Sequence, residues 1–131
     1  MQWSGLAVCA VILGMAGPAF GDDPAVGLWQ TEPDRKDLIS HVEIRHCGPA
    51  LCGRALRAFD LTGVPVVTGN EGRELFWGMT AMGNGQYSDG TVSLPLVNVE
   101  APATMLLDGE LLRVRACKLG ICAAQTWTRL R

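Results

Sequence analysis

Between its turn-like segments the chain alternates apolar and polar positions with a period of two. Over residues 38–47, Val42 and Ile44 alternate with His41, Glu43 and Arg45; over 110–117, Leu112, Val114 and Ala116 alternate with Arg113 and Arg115. Side chains that change face at every step mark half-buried antiparallel strands. Further strand-like runs cover residues 26–31, 52–59, 74–81, 86–94, 97–107 and 121–130. Breakers separate them: Thr62-Gly63-Val64-Pro65, Gly69-Asn70-Glu71-Gly72, Gly83-Asn84-Gly85 and Asp108-Gly109. The last of these, between two apolar runs, is the strongest hairpin signal. No stretch holds a helical period between caps. The pattern predicts an all-β fold, and a meander of about eight strands closes most naturally as a small antiparallel up-and-down barrel. A sandwich is the alternative.

The first segment does not follow this pattern. No charged side chain occurs from Gln2 to Gly21, and an apolar run over residues 6–15 leads to Ala19-Phe20-Gly21 before Asp22-Asp23. That order reads as a secretory signal peptide over 1–21, with a single barrel domain over 22–131. The apolar run is shorter than the roughly 20 residues that a membrane span needs. The chain is 131 residues long with a net charge of −2, acids and bases interspersed. Nothing in it forms a basic stripe for nucleic acid. The expected location is the periplasm, or outside the cell.

Four cysteines remain beyond the leader, in two similar pairs: Cys47 with Cys52, and Cys117 with Cys122. Even number, short spacing and an exported chain argue for disulfides. Three connectivities are possible, and the local one is expected, because each pair brackets a turn-like tetrapeptide between strands. The spacing is longer than a zinc knuckle's, and no Cys-x-x-Cys suggests redox catalysis; no metal or cofactor is expected. If Cys47 opposes Cys52, then Arg45 opposes Arg54, Glu43 opposes Leu56, and the inner face carries Val42, Ile44, Ala55, Phe59 and Arg57. If Cys117 opposes Cys122, the inner face carries Leu112, Val114, Gln125, Trp127 and Arg129, with Glu110 opposite Arg129.

With these segments in place the sequence resembles the DUF2147 family of small exported bacterial proteins. The resemblance rests on Gly27-Leu28-Trp29, on residues 44–53 with the first cysteine pair, on residues 72–79, and on residues 112–117 and 125–129 with Gln125-Thr126-Trp127-Thr128-Arg129. It implies a lipocalin-like barrel with Gly27-x-Trp29 on the first strand. The segment from Ser93 to Glu100 departs from the family pattern, being aliphatic where relatives are polar and aromatic.

No catalytic constellation is evident. His41 and His46 fall on opposite faces of one strand without a nucleophile signature, so an enzyme is not expected. A barrel of about eight strands holds one small ligand at most. Arg57, Gln125 and Arg129 beside Trp127, with Trp29 and Trp77 as further candidates, suggest an apolar lumen with a few polar anchors and a small amphipathic, lipid-like anion as ligand. Trp29 and Arg129 also suit a structural stack where the first and last strands meet. The alternative class is a protein-interaction or inhibitor module with a filled core.

Overall fold

A computed structural model describes residues 22–94 and 98–131. The expected leader lies outside the described residues, as does the centre of the divergent segment. Among the described residues there are nine strands and no helix: β1 Gly27–Gln30, β2 Ile39–Cys47, β3 Ala50–Phe59, β4 Pro65–Val66, β5 Glu74–Gly83, β6 Gln86–Leu94, β7 Val99–Asp108, β8 Leu111–Lys118 and β9 Ile121–Arg129. All pairings are antiparallel between chain neighbours, except that β3 pairs with β5 across the two-residue β4, and β1 closes onto β9. The result is a closed eight-strand barrel with β4 as an appendage on β3.

An up-and-down chain sorts its connections to two ends. The tight turns β2–β3, β5–β6 and β7–β8 share one end with both ends of the barrel chain. The connections β1–β2, β3–β5, β6–β7 and β8–β9 share the other. Large apolar side chains fill the first end: Trp29, Val42, Phe76, Met79 and Leu112 are fully buried, with Ile44 and Tyr87 beside them. Packing there is tight enough to dictate a glycine, since a Cβ at Gly53 would overlap the Phe76 ring.

The first hairpin corrects the expected register. Cys47 pairs with Ala50, Arg45 with Cys52 and Glu43 with Arg54, so the turn is the dipeptide Gly48-Pro49 and not a tetrapeptide. Two like charges directly opposed are unfavourable. The observed register removes the Arg45–Arg54 pair: Arg54 bonds Glu43 at 2.8 Å, and Arg45 forms an ion pair with Glu74 on β5. A shift of two keeps every residue on its face, which is why Val42, Ile44 and Ala55 still point inward. A β-bulge then sets Val42 opposite Ala55 but His41 opposite Arg57, with Leu56 as the extra residue. Beyond it the faces invert. Ala58 is buried, Arg57 is exposed, and Phe59 leaves the interior to pack on His41 with ring centroids 4.6 Å apart. The last hairpin follows the expected register, with Cys117 opposite Cys122, Val114 opposite Gln125 and Leu112 opposite Trp127.

Both local cysteine pairs have their sulfurs at bonding distance, with Cα–Cα separations of 5.8 Å for Cys47–Cys52 and 4.0 Å for Cys117–Cys122. The first pair is a diagonal neighbour pair, reached because the turn is two residues shorter than expected.

Candidate functional site

The barrel is filled at one end only. From its middle to the mouth, the inward positions of β3, β7, β8 and β9 hold Ala55, Ala58, Ala101, Ala116 and Ala123. These side chains are too short to meet across the lumen. They leave a cavity of about 670 Å³, walled otherwise by Leu75, Val92 and Val114, with Trp127 toward its floor. Trp127 lies 6.2 Å from Phe76 of the filled half, ring centroid to ring centroid. Alternation placed Ala55 and Ala116 inward, whereas Ala58 turns inward only because of the β-bulge.

The lumen carries few polar groups. Gln125 borders it and accepts a hydrogen bond from the Trp127 indole N–H at 2.8 Å through its carboxamide oxygen, leaving the amide N–H groups outside that bond. Charges gather at the mouth: Glu32 and Asp34 from the β1–β2 connection, Glu71 from the β3–β5 connection, and Arg57 and Lys118. Asp34 accepts from the Lys36 and Leu38 backbone N–H groups, at 2.8 and 3.0 Å. Glu71 accepts from the backbone and hydroxyl of Thr68 and from Gly69 N–H, bonds that hold its pKa at about 2. Both carboxylates therefore shape their own loops.

The residues singled out in the sequence separate into three places. Gln125 and Trp127 line the lumen. Arg57 borders the mouth but is exposed, opposite His41, because the bulge takes it off the inner face. Trp29 and Arg129 lie in the closed end, outside the cavity: they are register partners, and the guanidinium carbon sits 4.3 Å above the Trp29 ring. Trp77 pairs with Thr91 on the outer face, half-buried.

The closed end has a plug that the sequence reading missed. Residues 23–26 fold across it, with Ala25 fully buried. The Trp29 indole donates to Ala25 O at 2.9 Å, the Arg129 guanidinium donates to Pro24 O and Val26 O, and the Tyr87 hydroxyl donates to the Asp23 carboxylate. Burial, then the Asp23 carboxylate, pushes the Tyr87 pKa well above that of an ordinary phenol. Glu110 faces Arg129 at 3.8 Å, the pair expected from the register. Arg129 is thus held by the Trp29 ring, two backbone carbonyls and the Glu110 carboxylate.

A family model described as an uncharacterized protein conserved in bacteria, DUF2147, matches residues 27–129. Comparison with curated proteins gives no significant match. Among solved structures, the chain is similar to protein HP1028 of Helicobacter pylori, described as belonging to the lipocalin family. The TM-score is 0.64 at 16% identity, over 81% of this chain and 82% of that one. At that identity the likeness is one of fold.

Proposed function

Given that the chain belongs to the DUF2147 family of bacterial proteins and folds as a lipocalin-like barrel, we propose that it binds a small apolar or amphipathic molecule in its lumen. The observation that carries this reading is the unfilled half-barrel. Its volume of about 670 Å³ falls in the range of about 300–1,000 Å³ usual for small-ligand sites. A lumen that served only stability would be closed by larger side chains, because an empty apolar cavity costs contacts on every wall. The open half also argues against the alternative of a filled interaction module.

The polar anchor in this reading is Gln125, deep in the lumen. An anionic head is less well served than the sequence suggested, because Arg57 is exposed and the mouth also carries Glu32, Asp34 and Glu71. We therefore favour an uncharged head. Catalysis is not part of the proposal: His41 packs against Phe59 on the outer surface with the rings tilted by 48°, and His46 lies at the closed end beside Asp22. The two disulfides suit an oxidising compartment, for which we propose the periplasm.

The test is titration with N-phenyl-1-naphthylamine, a neutral fluorophore, followed by competition with decanol and decanoate. Saturable binding is expected, and Ala101→Leu with Ala116→Leu should weaken it by about tenfold or more, equivalent to about 1.4 kcal/mol. Absence of saturable binding, or equal affinity in the filled variant, removes the proposal. Decanoate outcompeting decanol, with the advantage lost in Arg57→Met, would restore the anionic head.

A further inference from the structure

The β8–β9 turn breaks a rule that another turn of the same barrel obeys. Two-residue hairpin turns with both residues at positive φ favour Asn-Gly, because most side chains resist that backbone. The β5–β6 turn complies, with Asn84 at φ +57° and Gly85 at +77°. The β8–β9 turn has the same conformation, with Gly120 at +79°, but places Leu119 at +53°. Leucine lacks the short polar group that eases this conformation. Nor does packing compensate, since Leu119 is 93% exposed and its neighbour Ile121 is 77% exposed. Strain held at an exposed apolar tip points to a use outside the folded molecule.

The tip is continuous with the lumen, because Leu119 and Ile121 both border the cavity mouth. Leu94, on the adjoining β6–β7 side of the mouth, is also exposed. One residue back from the tip on each strand, Cys117–Cys122 closes the hairpin and limits its freedom. Behind the tip, Arg113, Arg115 and Lys118 are exposed on β8, while Ala124, Thr126 and Thr128 on the outer face of β9 carry no charge. The carboxylates near this face are Glu100, whose backbone carbonyl takes the Lys118 ammonium at 2.8 Å, and Glu32, bonded to Thr126 N–H. From Leu111 to Thr128 the hairpin carries these three cations and no carboxylate of its own, so the hairpin itself is positive. Asp34 shares the β1–β2 connection with Glu32, and Glu71 belongs to the β3–β5 connection, which lies across the mouth from the tip.

We propose that the β8–β9 tip inserts into an anionic lipid surface and presents the lumen mouth to the acyl layer, the source of an apolar ligand. Apolar residues at a tip with cations behind them are what an interfacial anchor requires. This rests on the lumen-binding reading above, and the lipid surface adds to it where the ligand is exchanged.

The experiment is co-flotation of the purified protein with vesicles of phosphatidylglycerol and phosphatidylethanolamine, beside phosphatidylcholine vesicles. Wild type is compared with Leu119→Asn/Ile121→Thr. Asn suits the turn and Thr suits a strand, so the variant keeps its fold, which the melting curve checks. The wild type should float with the anionic vesicles, less so at high salt, and the variant should partition at least about tenfold less. Equal partitioning of the two proteins, or no flotation of the wild type, overturns the proposal. So does a wild-type dimer that becomes a monomer in the variant without any flotation, which would make the tip an interface between copies. N-phenyl-1-naphthylamine titration of the same two proteins without vesicles keeps the two readings apart. Fluorophore binding by the wild type with flotation lost in the variant supports the anchor, whatever the variant's own fluorophore affinity; no fluorophore binding by the wild type removes the lumen reading itself.

Discussion

His41 and Phe59 meet on the outer surface because one extra residue, Leu56, sits in the opposing strand. The imidazole is desolvated there and lies near the Arg57 guanidinium, and both effects lower its pKa from the ordinary 6.5, burial contributing more. The unfolded chain therefore takes up a proton near pH 6.5 that the folded chain takes only at lower pH. This contribution to stability is whole above pH 6.5 and is lost as pH falls through the folded value. The urea midpoint should accordingly drop between about pH 7 and pH 5, and drop less in His41→Gln. Parallel pH profiles for the two proteins would show that His41 is not the group responsible. The same bulge limits what was legible at Arg57, since alternation counted from Cys52 puts it inside and nothing local in residues 54–58 announces an insertion. Trp29 with Arg129 was legible, because Gly27-x-Trp29 and the final strand had to meet if a meander closed.

Hairpins carry most of what could be read at the scale of elements. Eight runs of alternation became eight barrel strands, with ends displaced by a few residues, and the last hairpin kept its register from Glu110 to Cys122. The first hairpin did not, because Cys47-Gly48-Pro49-Ala50-Leu51-Cys52 accommodates two turn lengths that both bring the sulfurs together. The charges could have decided it. A shift of two replaces an Arg45–Arg54 opposition with Glu43–Arg54, a preference that spacing alone does not contain. Both disulfides close short loops, each with a sequence separation of 5. On the chain-entropy account each should contribute less than the about 3 kcal/mol of a fifteen-residue loop. Cys117→Ser/Cys122→Ser should lower the denaturation midpoint yet unfold cooperatively, followed by tryptophan fluorescence in urea. A chain already unfolded without denaturant would mean that the bridge does more than restrict a loop.

At the scale of the whole molecule the barrel divides its work along its axis. The closed half holds the large side chains, the Trp29–Arg129 stack and the plug at residues 23–26, while the open half holds the alanine-lined lumen. The alternation that located strands could not show this division, because an inward alanine and an inward phenylalanine satisfy the same pattern. The plug escaped as well, being a short non-strand segment held by contacts from β1, β6 and β9. If stability and binding are separable in this way, a lesion in one half should leave the other intact. Tyr87→Phe keeps the ring among Met79, Met105 and their neighbours but removes the hydroxyl that bonds Asp23. A hydrogen bond to a charged group is worth about 1.5–3 kcal/mol, and Asp23 retains Ala25 N–H at 2.8 Å, so the loss should fall near the lower figure. Urea unfolding measures that loss, and N-phenyl-1-naphthylamine titration of the folded variant measures the other half. Stability should fall by about 1–2 kcal/mol while fluorophore affinity stays within about twofold of wild type. A parallel fall in affinity would mean that the plug positions the lumen walls, and that the barrel responds as one cooperative unit from plug to mouth.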